Sequence, residues 1–304
     1  MALQETLRGW RVARAFIVLN AALLMAAQAI PAHAQTTFDR ITRNGQINVG
    51  FRVDAAPFSY LDAQHKPQGY SIDVCNAVVA EVDKQLGVSG LRINMVPIDI
   101  DRVTTYMNTG SVDILCSDTS DTPRRRAMMS FSNPIYLDGV SIVVRRRDGI
   151  TNIGQLSGKQ VVVTKATTAK AALEAYAKKG SLDWKVATAL DADAALSQLQ
   201  LGWVSAYARD RVPLTVQVDS LADANDFVIL PEKLSTESIA IAYRKDDQAM
   251  GTLINRVIAS AATSGKARDW YDTWFIKPIP LNKRQIPLGL PMSPELKAAM
   301  VGAS

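Results

Sequence analysis

From residue 47 to residue 275 the chain runs twice through the same alternation of apolar strand-like segments and amphipathic helix-like ones, and few folds accommodate that pattern. The first run is INVGFRV, SIDVCNAVVAEVDKQLG, LRINMVPI, the helical RVTTYMNTG with its stop at Gly110, and VDILCS. The second is TNIGQLSG, KQVVVT, TTAKAALEAYAKKG, WKVAT, DADAALSQLQLG and VSAYARD, followed by SIAIAYRKDD and the amphipathic MGTLINRVIASAATSG. Strands separated by helices at this pitch need crossover connections, hence a mostly parallel sheet in each run. Two such units joined by two extended segments, VSIVVR and SIAIAYR, predict an α/β protein of two lobes with a paired-strand hinge and a cleft that opens and shuts. The expected boundaries are 35–141 with 243–284 for the first lobe and 142–242 for the second. Residues 285–304, rich in Pro and Leu, are expected as an extended tail packed on a lobe. FSYLDAQHKPQGYS reads as a small hairpin with His65-Lys66-Pro67 at its turn.

The first 34 residues read as an export signal. Arg8, Arg11 and Arg14 precede an apolar run from Ala15 to Ile30, and Ala32-His33-Ala34 supplies small residues for cleavage. The run is shorter than the roughly 20 residues a spanning helix needs, and it contains Asn20 and Gln28. Cleavage leaves a mature chain starting near Gln35, of about 270 residues, enough for one large or two medium cores. The formal charge of +5 for the whole chain falls to about +3 once the +2 of the leader is removed. That mild excess, with no Lys/Arg stripe interleaved with aromatics, argues against nucleic acid; the triplets Arg124–Arg126 and Arg145–Arg147 read as solvated surface runs. Cys75 and Cys116 are the two cysteines, in a compartment that permits disulfides; spacing alone leaves a bridge and two buried thiols both open. Neither reading makes a metal site, which needs more ligands than two thiols.

Marks of catalysis are sparse. After the leader the only histidine is His65, in the expected hairpin turn, so triads, acid–base relays and HExxH sites have almost nothing to use. No GxGxxG follows a strand and no phosphate-binding P-loop is present, so no cofactor is expected.

Three strand-to-helix junctions carry polar groups where open α/β sheets bind ligands. In GFRVDAAPFSY, Arg52 ends a strand and could fork onto a carboxylate, while Phe58 could cover an apolar stem. In CSDTSDTPRRR, the side chains of Asp118, Thr119, Ser120 and Thr122 precede a helix start near Pro123. Such a start can simply be a cap, or its N–H groups and hydroxyls can receive a carboxylate that Arg125 clamps. In VTKATTAKAAL, Thr167 and Thr168 open the next helix and would offer donors from the opposite lobe.

These segments, in this order and spacing, resemble the periplasmic solute-binding proteins that serve ABC importers of polar amino acids, bacterial extracellular solute-binding protein family 3. The similarity runs from GQINVGFR through PFSY, GYSIDVCNAV, DTSDTPRRR, FSNPIY, LSGKQVVVTKATT and SAYARD to SGKARDWYDTWF and PIP. The branch most similar is that of the glutamate/aspartate-binding proteins. The resemblance implies a ligand α-carboxylate on Arg125 and Ser120, helped by Thr167 and Thr168, a ligand ammonium on Asp210, and a side-chain carboxylate on Arg52. It also implies a periplasmic monomer that passes an amino acid to the membrane permease of an ABC importer. Three positions depart from the dicarboxylate binders: Asp118 stands where a small neutral residue is expected, Ala192 replaces a His, and Arg102 lies one position off an arginine of those relatives. An anionic side chain beside a carboxylate pocket is costly unless it has a partner such as Arg52. The competing readings are an exported enzyme on the same scaffold, a dehydratase of the cyclohexadienyl type with Asp118 as its odd carboxylate, and a detached sensor module.

Overall fold

In the computed structural model, which describes residues 36–87, 90–281 and 284–302, the compact body begins at Thr37. The expected leader, residues 1–34, lies outside the described residues. Strand β1 (Gln46–Phe51) is buried from Ile47 onward, as a continuous apolar run inside a parallel sheet must be. A small antiparallel sheet follows from β2 (Asp54–Ala55), β3 (Ser59–Leu61) and β4 (Pro67–Gln68), with His65 of the predicted hairpin in the left-handed region at φ 58°. Next come β5 (Arg92–Pro97), β6 (Ile114–Leu115) and β7 (Met129–Asp138). The chain then builds β8 (Val140–Arg145), β9 (Gln160–Thr164), β10 (Lys185–Ala189), β11 (Ala206–Asp210) and β12 (Phe227–Ile229). It returns through β13 (Glu237–Arg244) and ends in the hairpin of β14 (Ile279–Leu281) and β15 (Arg284–Ile286).

The two large sheets have the orders β5-β1-β6-β13-β7 and β10-β9-β11-β8-β12. Each has three parallel strands flanked by two antiparallel additions, so the two alternating runs become two lobes of similar build. Helix Tyr70–Leu86 covers the first sheet with the stripe Tyr70, Val74, Val78 and Val82, all buried, at the i, i+4 spacing of one helix face. Gly87, at φ 62° in the left-handed region, stops it. The second sheet has an apolar cluster on each face, one around Leu173 and Val161, the other around Leu196 and Tyr207.

The hinge differs in detail from the expectation. VSIVVR and SIAIAYR do not pair with each other: β8 pairs with β11 and β12, and β13 with β6 and β7. Residues 237–242, assigned by the sequence to the second lobe, therefore lie in the first sheet. The two crossings meet instead at residues 138–140 and 234–237, where Leu234 N donates to Val140 O and Val140 N to Ser235 Oγ. Both segments are apolar runs buried in a sheet interior, and periodicity cannot say which sheet receives such a run.

The tail is extended only in part. Ser293 Oγ accepts from Leu296 N to cap the helix Pro294–Met300, whose Leu296 and Met300 are buried. The Ser-Pro-Glu start, a cap followed by Pro at the first helical position, was a legible signal.

Candidate ligand-binding cleft

Cys75 and Cys116 form a disulfide with a Cα–Cα distance of 6.2 Å. It ties the covering helix to the end of β6, where the loop Ser117-Asp118-Thr119-Ser120 begins. All four residues of that loop are buried. Ser71 Oγ donates to Ser117 O (2.9 Å) and Ser59 Oγ to Ser117 Oγ (3.3 Å), while Ser117 Oγ donates to Asp118 Oδ1 (2.9 Å). On its other side the loop is bonded to β13, with Ala240 N donating to Thr119 O and Ser120 bridged to Ile239. Its backbone is thus held from both flanks. The hydroxyls of Thr119 and Ser120 are nevertheless buried without a hydrogen-bond partner. Burying such a group unpaired costs about 1–3 kcal/mol.

Arg125 follows within a one-turn helix, Pro123–Arg126, whose cap is Thr122 Oγ1 accepting from Arg125 N. Its Nη1 donates to Ser120 O at 2.9 Å. Burial pushes the Arg125 pKa down, against the pull of Asp210, Asp118 and Glu237. Asp210 ends β11 in the second lobe. Burial holds its pKa well above the usual carboxylate range, Glu237, Asp138 and Asp118 add to that, and Arg125 opposes it. Arg125 and Asp118 of one lobe, Asp210 of the other and Glu237 at the crossing therefore share one electrostatic field.

Arg52 emerges from the end of β1 and is buried. Its Nε and Nη2 donate to the two carboxylate oxygens of Asp54, both at 2.8 Å, and its Nη1 lies 3.9 Å from Asp118 Oδ1. Burial disfavours the cation, yet Asp118 and Asp54 together hold the guanidinium pKa above its ordinary value. Burial likewise opposes ionisation of Asp54, but the charge and hydrogen bonds of Arg52, with Arg209 behind them, bring it down to about 2. The partner that Asp118 needed is thus Arg52, with Ser117.

In the second lobe, Thr167 Oγ1 donates to Thr164 O at 2.8 Å, so this hydroxyl is engaged by its own turn. Thr168 opens helix Ala169–Gly180 and makes no side-chain cap bond. Thr167 and Arg124 of the first lobe line a common cavity of about 400 Å³ with Lys165 and Lys170. Bonds that cross between the lobes include Arg209 Nη2 to Asp54 O (2.7 Å), Lys165 Nζ to Asp101 Oδ2 (3.0 Å), Val212 N to Asp138 Oδ2 (3.1 Å) and Arg284 Nη1 to Leu221 O.

Phe58 requires a correction. It is fully buried in the first lobe, edge-on to Tyr70, Tyr136 and Phe275 with ring centroids 5.2–6.4 Å away, and offers no surface to a ligand. An aromatic after a turn has two sides to choose from, and a fully apolar ring goes to the core where other rings receive it. Of the departures, Arg102 stacks over Tyr106 at 5.4 Å, and Ala192 is buried at the start of helix Ala192–Gln200. Sequence reasoning passed over Asp54, Ser117, Arg209 and Glu237. Asp54 had a signal: residues i and i+2 of an extended segment share a face, which sets Asp54 beside Arg52. Among the described residues no group of three or more His, Cys, Asp or Glu is arranged to hold a metal ion, and no helix is long and apolar enough to cross a membrane.

The family model for bacterial extracellular solute-binding proteins, family 3, matches residues 47–277. Over 282 residues the chain is 31% identical to the glutamate/aspartate import solute-binding protein of Escherichia coli (strain K12), covering 93% of this chain and 92% of that one. It is 29% identical over 277 residues to the L-glutamate/L-aspartate-binding protein of Pseudomonas aeruginosa, with 91% of each chain covered. Among solved structures it is similar to an ancestral arginine-binding protein bound to arginine, at a TM-score of 0.66 and 27% identity, covering 76% of this chain and 98% of that one.

Proposed function

We propose that this chain, which belongs to the bacterial extracellular solute-binding proteins, family 3, captures a polar α-amino acid between its lobes in the periplasm and delivers it to the permease of an ABC importer. The observation that carries the reading is the buried, unpartnered pair of hydroxyls on Thr119 and Ser120 beside Arg125, whose guanidinium is bonded to the Ser120 carbonyl and feels the charge of Asp210 from the second lobe. A zwitterion fits that arrangement. Its α-carboxylate takes the Arg125 guanidinium and the two hydroxyls, and its α-ammonium takes the Asp210 carboxylate, each bond being charge-assisted. Thr168, whose hydroxyl caps nothing, is the donor the second lobe would add on closing, more readily than Thr167, which is already engaged. Among the described residues, the crossings at 138–140 and 234–237 are the backbone routes that closure would bend.

The names of the sequence relatives, which speak of glutamate and aspartate, support an amino acid as ligand and a transport role. The reading as a binder rather than an enzyme draws on Asp118. The one carboxylate singled out for proton transfer is engaged by Ser117 and Arg52 and is thereby a structural member of the cleft.

Calorimetry on protein unfolded, stripped of ligand and refolded, titrated with each of the common amino acids, tests the proposal. Saturable binding of at least one amino acid is expected. Absence of any heat together with turnover of prephenate or arogenate would transfer the chain to the enzymatic alternative.

A further inference from the structure

The Arg52 subsite is already occupied by the protein itself. The guanidinium edge formed by Nε and Nη2 is closed on Asp54 at 2.8 Å in both bonds. The remaining Nη1 faces Asp118 at 3.9 Å. One cation is therefore shared by two carboxylates, and the arginine is nearly withdrawn from solvent, with 9% of its side chain exposed. Asp54 is held in turn from the second lobe, where Arg209 Nη2 donates to its carbonyl and Arg209 Nη1 donates to Gln217 Oε1.

The other cations near the cleft are engaged or lie outside it: Arg209 is bonded to Gln217 Oε1 and the Asp54 carbonyl, Lys170 is paired with Glu174, and Arg124 is exposed. Arg125 is committed to the ligand α-carboxylate under the reading above, and Asp210 to the α-ammonium. Glu237, whose Oε2 is buried without a partner, and Asp118 add further negative charge. Lys165 at the cleft mouth is paired with Asp101. A side-chain carboxylate entering here would meet Asp54 and Asp118 around an arginine they already neutralise, and like charges brought together in a desolvated site repel strongly.

We propose that Asp54 is a specificity-determining residue: by filling the Arg52 fork it bars amino acids with a side-chain carboxylate and leaves the cleft to those whose side chain is uncharged or cationic. This rests on the reading of the cleft as an α-amino-acid site and narrows it. Selectivity against a competitor commonly comes from such a built-in repulsive element.

The test is an isothermal titration panel on ligand-stripped, refolded protein with glutamate, aspartate, glutamine, asparagine, histidine, arginine and lysine, repeated on Asp54→Asn. The expected result is that at least one amino acid without a side-chain carboxylate binds about 100-fold or more tightly than glutamate and aspartate. In Asp54→Asn the Arg52 fork loses its anion, and the affinity for glutamate relative to glutamine should rise about tenfold or more. Wild-type protein binding glutamate or aspartate within about threefold of its best ligand overturns the inference while leaving the amino-acid reading intact. An unchanged glutamate-to-glutamine ratio in a folded Asp54→Asn variant overturns it too. If that variant does not fold, the wild-type panel decides alone. Binding of none of the seven overturns the inference, and extending the panel to the remaining amino acids then shows whether the reading beneath it falls as well.

Discussion

Gly139 and Ser235 meet where the two chain crossings pass, so closely that a Cβ on Gly139 would run into the Ser235 carbonyl oxygen. The obstacle is backbone of the second crossing, which is itself bonded to the next residue, Val140, through Leu234 N and Ser235 Oγ, so it cannot easily step aside. Gly139→Ala is therefore expected to spread the crossing and cost about 1–3 kcal/mol, as overpacking does. A urea melt of the variant against wild type would read this; an unchanged midpoint would show that the crossing yields freely.

The disulfide joins Cys75 to Cys116 across 41 residues and anchors the start of the Ser117–Ser120 loop. Replacing both cysteines by Ala should lower the unfolding free energy by about 2–4 kcal/mol. Because the loop is also held by Ser71 and Ala240, ligand affinity should suffer less than stability. Guanidinium unfolding and titration of the same double variant separate the two effects.

Arg125→Ala removes the guanidinium bonded to the Ser120 carbonyl beside the unpartnered hydroxyls and frees that carbonyl. Loss of one partner of a buried charged pair costs about 2–5 kcal/mol of binding, so affinity should fall by roughly 30-fold or more. Arg125→Lys should recover part of it through charge alone, without the planar fork. Normal binding by the Ala variant in calorimetry would remove Arg125 from the site.

Stability should change with pH in a direction fixed by the buried acids. Burial pushes Asp138 up to about 6, against hydrogen bonds from Val212 N and Gly139 N and the attraction of Lys233, while Asp118 adds to the upward shift. Burial also raises Asp113 to about 6, opposed by Asn48 N and Arg40. A carboxyl whose folded pKa is raised binds its proton more readily in the native state. It contributes stability below the unfolded pKa near 4 and loses that contribution as pH rises through about 6. Asp54, brought down to about 2, acts oppositely, and its contribution is lost only in stronger acid. Asp138→Asn keeps an acceptor for Val212 N while removing the titration. Its stability relative to wild type should improve by roughly 1–3 kcal/mol between pH 4 and pH 7.5. Parallel urea titrations at the two pH values measure this, and a constant difference between variant and wild type would refute it.

The alternation of apolar strands with amphipathic helices determined the two-lobed α/β architecture, because each period admits one kind of element and the crossovers leave little freedom of topology. The hairpin at His65, the capped turn at Pro123 and the polar loop after β6 were legible on the same grounds, since caps and turns are local chemistry. Which groups meet across space was decided only by the tertiary structure. The alternation could not tell whether β13 joined the first sheet or the second, because a run buried on both faces carries no address. Phe58 went to the core because Tyr70, Tyr136 and Phe275, distant in sequence, converge there. Above all, Arg52 read as an open fork in the sequence, yet it is closed by Asp54 and Asp118, with Arg209 of the opposite lobe bonded to the Asp54 carbonyl. Charge type is written residue by residue; charge balance exists only once three separate segments stand within a few ångströms of one another.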